Sequence, residues 1–197
     1  MPVGLILGGG EMFSFISRIV NGVKGGVTAG LKGTADVASS IVGVVRDTTV
    51  STLQEASEFV QAGLDVPASI VKGAFAGVGE IGGSVVTAVK GIVHGTVQGF
   101  VESGGKQEEA IHGAVGQAVH GAKELGLDIG ETAVAAVRGS VDAVKQVGGD
   151  TALATKDAVL AALKAGKDVG SDAYETVKES LAEGVQGAKE IMEAAKK

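Results

Sequence analysis

A regular spacing of apolar residues runs through most of this chain and restricts what it can fold into. Steps of three, four and four residues define three series of positions between Val20 and Met192, each series with a spacing of eleven. We call these positions the apolar stripe. Three quarters of them are apolar, against 45% of the whole chain, and Glu108 is their only charged member. Eleven residues in three turns indicate α-helix and exclude the two-residue period of a β-strand.

The charged residues follow the same register. All Lys and Arg residues between positions 20 and 192 lie one residue after a stripe position, apart from Lys106, and most acids lie two residues after one. On a helix, the bases would therefore edge the stripe on one side, facing acids on a neighbouring helix. We call the bases along this edge the basic border. Its members expected at the assembly or lipid face are Lys72, Lys90, Lys123, Arg138, Lys145, Lys164 and Lys178. The other border is small or apolar.

The stripe predicts a continuous surface for contact with other helices or with lipid. Its members expected at this assembly or lipid face are Val71, Phe75, Val78, Val86, Val89, Val93, Val97, Phe100, Ile111, Val115, Val119, Val137, Val141, Val144, Val159, Leu163, Val177, Leu181 and Val185.

Glycine makes an isolated helix of this sequence weak. The chain has 33 Gly, and each internal Gly costs a helix about 1 kcal/mol relative to Ala. Packing, oligomerisation or a lipid surface must supply the difference. Because 3.67 residues per turn exceeds the ideal 3.6, helices that follow the stripe supercoil with a right hand. We therefore predict an all-α fold of long amphipathic helices, in an oligomeric right-handed bundle or tube. Series such as Gly91, Gly95 and Gly99 would allow close helix approach.

Composition divides the chain into three segments. Residues 1–19 form an apolar tip, residues 20–103 a glycine-rich apolar repeat helix, and residues 104–197 a more charged one. Asp65-Val66-Pro67 has the signals of a helix stop and restart, the stretch 102–106 is polar and glycine-rich, and Gly148-Gly149-Asp150-Thr151 resembles a C-cap followed by an N-cap. The stripe keeps its register through all three. We therefore expect kinks near 65–67 and 148–150 in long helices, rather than the turns of a compact bundle.

Several classes of function are disfavoured by the sequence. The net charge of −6 argues against nucleic-acid binding. The chain has no Cys, and His94, His112 and His120 occupy basic-border positions, where solvated side chains are expected. No residue spacing nominates a catalytic set or a phosphate loop, so we expect a non-enzymatic protein without a cofactor. No basic signal region or long uncharged apolar run occurs, which favours a cytoplasmic protein, with peripheral contact to a membrane or lipid surface as an option.

Two stretches resemble a known kind of repeat. Gly73-Ala74-Phe75-Ala76-Gly77-Val78 and the segment 88–99 are similar to the eleven-residue repeats of synucleins and perilipins. That resemblance implies a reversible coat on membranes or lipid droplets. It is one of composition and period. Synuclein-type repeats carry Lys on both borders of the apolar face, whereas only one border is basic here.

Three hypotheses follow for the function. One-sided charge favours helix–helix assembly into a scaffold, stalk or tube that tethers a partner to a membrane or shelters a lipid-like molecule. The alternative is a reversible coat on lipid droplets or membranes, and a compact helical bundle with another use is the third. The candidate partners are further copies of the chain, a lipid, a quinone or a membrane surface, or a larger protein complex.

Overall fold

In the computed structural model, which describes residues 9–60 and 65–197, the chain is helical throughout and contains no strand. The helices described are α1 (Gly9–Leu31), α2 (Val37–Val60), α3 (Val66–Glu80), α4 (Val85–Glu102), α5 (Gln107–Leu125), α6 (Ile129–Gln146), α7 (Thr151–Val169), α8 (Ser171–Gly184) and α9 (Ala188–Ala194). The all-α prediction is thereby confirmed. Residues 1–8 of the predicted tip lie outside the described part, and the remainder of the tip belongs to α1.

The predicted long helices are divided by turns. The segment expected to form one helix kinked near 65–67 contains the second half of α1 with α2, α3 and α4, and the segment after it contains α5 to α9. Successive helices fold back on each other: Gly26 of α1 faces Thr48 of α2, while Gly30 faces Val44, so the two helices are antiparallel. Kinks in continuous helices are therefore the wrong expectation for this chain.

The turns between α3 and α8 repeat at a fixed interval, which explains why the stripe runs through them. Gly82, Gly104, Gly126, Gly148 and Gly170 all have positive φ and follow each other at 22 residues. The first four turns share one pair of hydrogen bonds. After α4, for example, the Gly104 amide donates to the Val101 carbonyl (3.0 Å) and the Gly105 amide donates to the Phe100 carbonyl (2.9 Å). Because helix and turn together span two eleven-residue units, each turn returns the chain to the same register.

Side-chain caps start most of the helices that follow these turns. Asp128 accepts a hydrogen bond from the Glu131 amide (2.7 Å), and Asp150 accepts from the amides of Ala152 and Leu153 (3.0 Å each). Asp65 caps α3 in the same way, with Pro67 in the first helical turn. Such caps satisfy the free amides at a helix start and contribute about 1 kcal/mol each. The helix-start signals predicted at 65–67 and 148–151 are confirmed.

The helices form two layers, with odd-numbered helices in one and even-numbered helices in the other. Each helix contacts the next helix and the next but one, and no more distant pair is in contact within the described ranges. Helices within a layer are parallel: Gly73 and Gly77 of α3 meet Val23 and Val27 of α1 in turn. The array is therefore open at both ends, and α1 and α9 do not meet.

Candidate functional site

The predicted assembly or lipid face lies inside the single chain. Of its members, only Val86, Val141, Leu163 and Val185 are partly exposed, and all the others are buried in the core. Most of these residues are therefore covered by the chain's own helices. The physical reason is the series of turns, which lets each helix bury its stripe against its neighbours within one chain.

Glycine brings the helices of one layer into backbone contact. A Cβ atom placed on Gly95 of α4 would lie 2.6 Å from the Val42 carbonyl oxygen and 2.9 Å from the Arg46 amide nitrogen of α2. Gly99 meets Arg46 and Thr49 of α2 in the same way, and Gly91 meets Ile41. The close approach predicted from the Gly91, Gly95 and Gly99 series is thus present, within one chain.

Three bases that lie one residue after a stripe position form ion pairs with acids on the next helix of their own layer. Lys24 Nζ lies 2.9 Å from Glu80 Oε2, and Arg46 Nε lies 2.6 Å from Glu102 Oε2. Lys90 Nζ lies 2.7 Å from Asp142 Oδ2. The hydrogen bond from Arg46 holds the pKa of Glu102 below its ordinary value. The acids expected to face the basic border on a neighbouring helix are therefore found within the same chain.

The other basic-border residues differ in their surroundings. Lys178 pairs with Glu175 on its own helix (2.9 Å), and the guanidinium of Arg138 donates to the Gly184 carbonyl (2.7 Å). Lys72, Lys123, Lys145 and Lys164 are exposed and have no carboxylate within ion-pair distance in the described ranges. Lys90 and Arg138 share one cleft, which lies between α4, α6 and the end of α8.

A larger cleft, of about 500 Å³, lies on the outer side of the odd-numbered layer between α3, α5 and α7. His112 and His120 of α5, Lys164 and Asp168 of α7, and Asp65 at the start of α3 line it. No large side chain fills the cleft from α5, because small residues such as Gly116 lie on the side of α5 that lines it. The spacing of residues along the chain does not connect these helices, since their contact depends on the two-layer arrangement.

The charges in this cleft do not define a metal centre. Nowhere in the described ranges do three His, Asp or Glu side chains converge in a geometry that could hold a metal ion. The carboxylate of Asp65 lies against Gly113 of α5, and burial raises its pKa, although the Ala68 amide opposes this by donating to it. Two of the three His side chains are therefore brought to one cleft without forming a ligand set.

His94, the third histidine, lies at the contact of α4 with α6. Gly139 of α6 packs on the backbone of Lys90 and His94, and Nε2 of His94 is buried without a hydrogen-bond partner. Burial lowers the pKa of His94, with Lys90 acting in the same direction, while Asp142 and Gln98 oppose the shift. The sequence predicted a solvated border residue at this position; the structure places a half-buried imidazole there.

Together these features define, for the described ranges, an open, two-layer array of short helices that buries most of the stripe residues within one chain. None of the described helices is long and apolar enough to cross a membrane. No protein-family model and no curated protein matches the sequence.

Proposed function

We propose that the chain is a non-enzymatic helical scaffold whose working state is the packed array. The observation that carries this proposal is the position of glycine at backbone contacts between helices, at Gly73, Gly77, Gly95, Gly99 and Gly139. Glycine at these positions weakens each helix in isolation, by about 1 kcal/mol per residue, and close packing against a neighbouring backbone, which a larger side chain would block, offsets that loss. Selection for a packed array accounts for such residues, whereas helices lying separately on lipid would not need them.

The array also has the general form of a repeat scaffold. In the described ranges helices contact only near neighbours, and such contacts with regular turns produce an extended molecule with large outer surfaces. In this proposal those surfaces, which carry the unpaired Lys72, Lys123, Lys145 and Lys164, contact the partner. The apolar stripe maintains the array.

A second candidate is the reversible lipid coat, favoured by one specific observation. Within the described ranges each helix contacts only the next helix and the next but one, so helices can detach one at a time from the open ends of the array. In the opened state the residues that now form the core would insert into lipid.

One experiment separates the two functions. Since the chain has no Cys, Lys24→Cys and Glu80→Cys introduce a unique pair at the α1–α3 ion pair. The scaffold proposal expects a short bis-maleimide to join the pair equally well with and without anionic vesicles or oil droplets. Lys24→Cys with Lys164→Cys is the control, because α1 and α7 are not in contact.

Loss of the cross-link on adding lipid, together with a rise in lipid-bound protein, would contradict the scaffold function and support the lipid coat. The molecular mass from light scattering, measured on the same samples, distinguishes a single folded chain from an oligomer.

A further inference from the structure

The cleft between α4, α6 and the end of α8 combines an apolar wall with a fixed cation. It has a volume of about 350 Å³, at the lower end of the range for small-molecule sites of about 300–1,000 Å³. Val141 of α6 and Val185 after α8 supply the accessible apolar wall, and Val137 of α6 adjoins it. Val137 is buried, whereas Val141 and Val185 remain partly exposed at the cleft.

Arg138 is positioned in this cleft without being neutralised. Its Nη2 donates a hydrogen bond of 2.7 Å to the carbonyl of Gly184, the last residue of α8. In the described ranges no carboxylate lies within ion-pair distance of Arg138. A backbone carbonyl orients the guanidinium but does not cancel its charge. The remaining N–H groups of the planar fork suit a carboxylate or phosphate.

The other charges at the cleft cancel. Lys90 Nζ and Asp142 Oδ2 are 2.7 Å apart and form an ion pair across α4 and α6. The lining therefore has one net positive charge, from Arg138, although the chain as a whole has a net charge of −6. Such a local cation beside an apolar wall complements a ligand with an anionic head and a hydrocarbon tail.

We propose that this cleft binds one single-chain anionic amphiphile, with its carboxylate or phosphate on Arg138 and its tail against Val141 and Val185. This site exists in the closed array and goes beyond the scaffold function, on which it does not rest. It also differs from a lipid coat, because one molecule enters the folded protein and no helix opens.

The test is calorimetric titration of the full chain with dodecanoate below its micelle concentration, with dodecanol and inorganic phosphate as separate probes. We expect saturable binding of one dodecanoate per chain, and binding at least tenfold weaker for dodecanol and for phosphate. If dodecanol bound as tightly as dodecanoate, the cation would have no role in binding. If phosphate bound as tightly as dodecanoate, the apolar wall would have none. Absence of saturable dodecanoate binding would overturn the proposal.

Matched variants locate the site. Arg138→Gln should weaken dodecanoate binding at least tenfold, while Lys145→Gln, an exposed base on the same helix outside the cleft, should change it less than twofold. Because Arg138→Gln also removes the bond to Gly184, Val141→Phe is a second variant that fills the cleft and leaves that bond in place. Val141→Phe should likewise weaken dodecanoate binding at least tenfold. Unchanged affinity in Val141→Phe, or equal effects of Arg138→Gln and Lys145→Gln, would contradict this assignment.

Discussion

At the scale of single residues, glycine has two distinct roles on these helices. Gly95 of α4 touches the backbone of α2, whereas a methyl group added to Gly43 of α2 would have no other atom within 4 Å. The first glycine is required by its neighbour, and the second only reduces helix stability.

This difference predicts opposite effects of the same substitution. Gly95→Ala should lower the free energy of unfolding by about 1–3 kcal/mol, because the methyl group forces α2 and α4 apart. Gly43→Ala should raise it by about 0.5–1 kcal/mol, because alanine favours the helix and meets open space. Urea denaturation followed by circular dichroism measures both. Equal changes in the two variants would show that α2 and α4 are not packed at Gly95.

His94 couples the α4–α6 contact to pH. Its pKa is lowered in the folded protein, mainly by burial, so the unfolded chain binds the proton more readily. Stability is therefore complete above the ordinary histidine pKa of about 6.5 and falls as pH drops through that value toward the folded pKa. We expect the free energy of unfolding of His94→Gln to fall less than that of the wild type when the pH is lowered from about 7 to below the folded pKa of His94.

The measurement is the urea midpoint as a function of pH for the wild type and for His94→Gln. Asp142, Lys90 and Gln98 also face the imidazole, so Asp142→Asn, which removes the carboxylate that favours the protonated ring, should deepen the acid loss. Identical pH profiles for wild type and His94→Gln would contradict this account.

At the scale of elements, the turns decide the architecture. Part of this could be predicted, because Asp65 with Pro67, and Gly148 with Asp150, are recognisable helix-boundary signals. The register of the stripe did not reveal that the chain reverses at these signals. A helix and turn of constant total length preserve the register, so the sequence pattern is the same as that of one long helix. The missed signal was the glycine at every 22nd residue from Gly82 to Gly170.

The turn after α5 offers a test of this role. Gly126 has a φ of 67° and open space around it, and Gly116 on the preceding helix also has open space but no positive φ. Gly126→Ala should therefore destabilise the protein by about 1–2 kcal/mol through backbone strain alone. Gly116→Ala should stabilise it by up to about 1 kcal/mol. Thermal unfolding of both variants checks this, and a neutral Gly126→Ala would mean that the turn does not need its left-handed glycine.

The candidate site could be predicted only in its chemistry. Val137, Val141 and Val185, together with Lys90 and Arg138, all belonged to the predicted stripe or its basic border. That they share one cleft depends on α4, α6 and α8 lying side by side in a layer, and the spacing of residues along one helix has no information on which helices pair.

At the scale of the whole molecule, an open array should not unfold uniformly. The terminal helices have neighbours on one side only, whereas α4, α5 and α6 have them on both. We expect hydrogen exchange of α1 and α9 amides to be at least about tenfold faster than that of α4 to α6 amides, with intermediate rates between them. Exchange at one common rate along the described helices would indicate a single cooperative unit instead.

The constant interval of 22 residues between the turns from Gly82 to Gly170 also sets a rule for changes in chain length. An inserted or deleted block of twice that length adds or removes one antiparallel helix pair, leaves every later helix in its own layer, and keeps each stripe on its buried side. A block of half the interval would place a turn glycine in the middle of a helix. Lineages that lengthen or shorten this protein are therefore expected to do so by whole helix pairs.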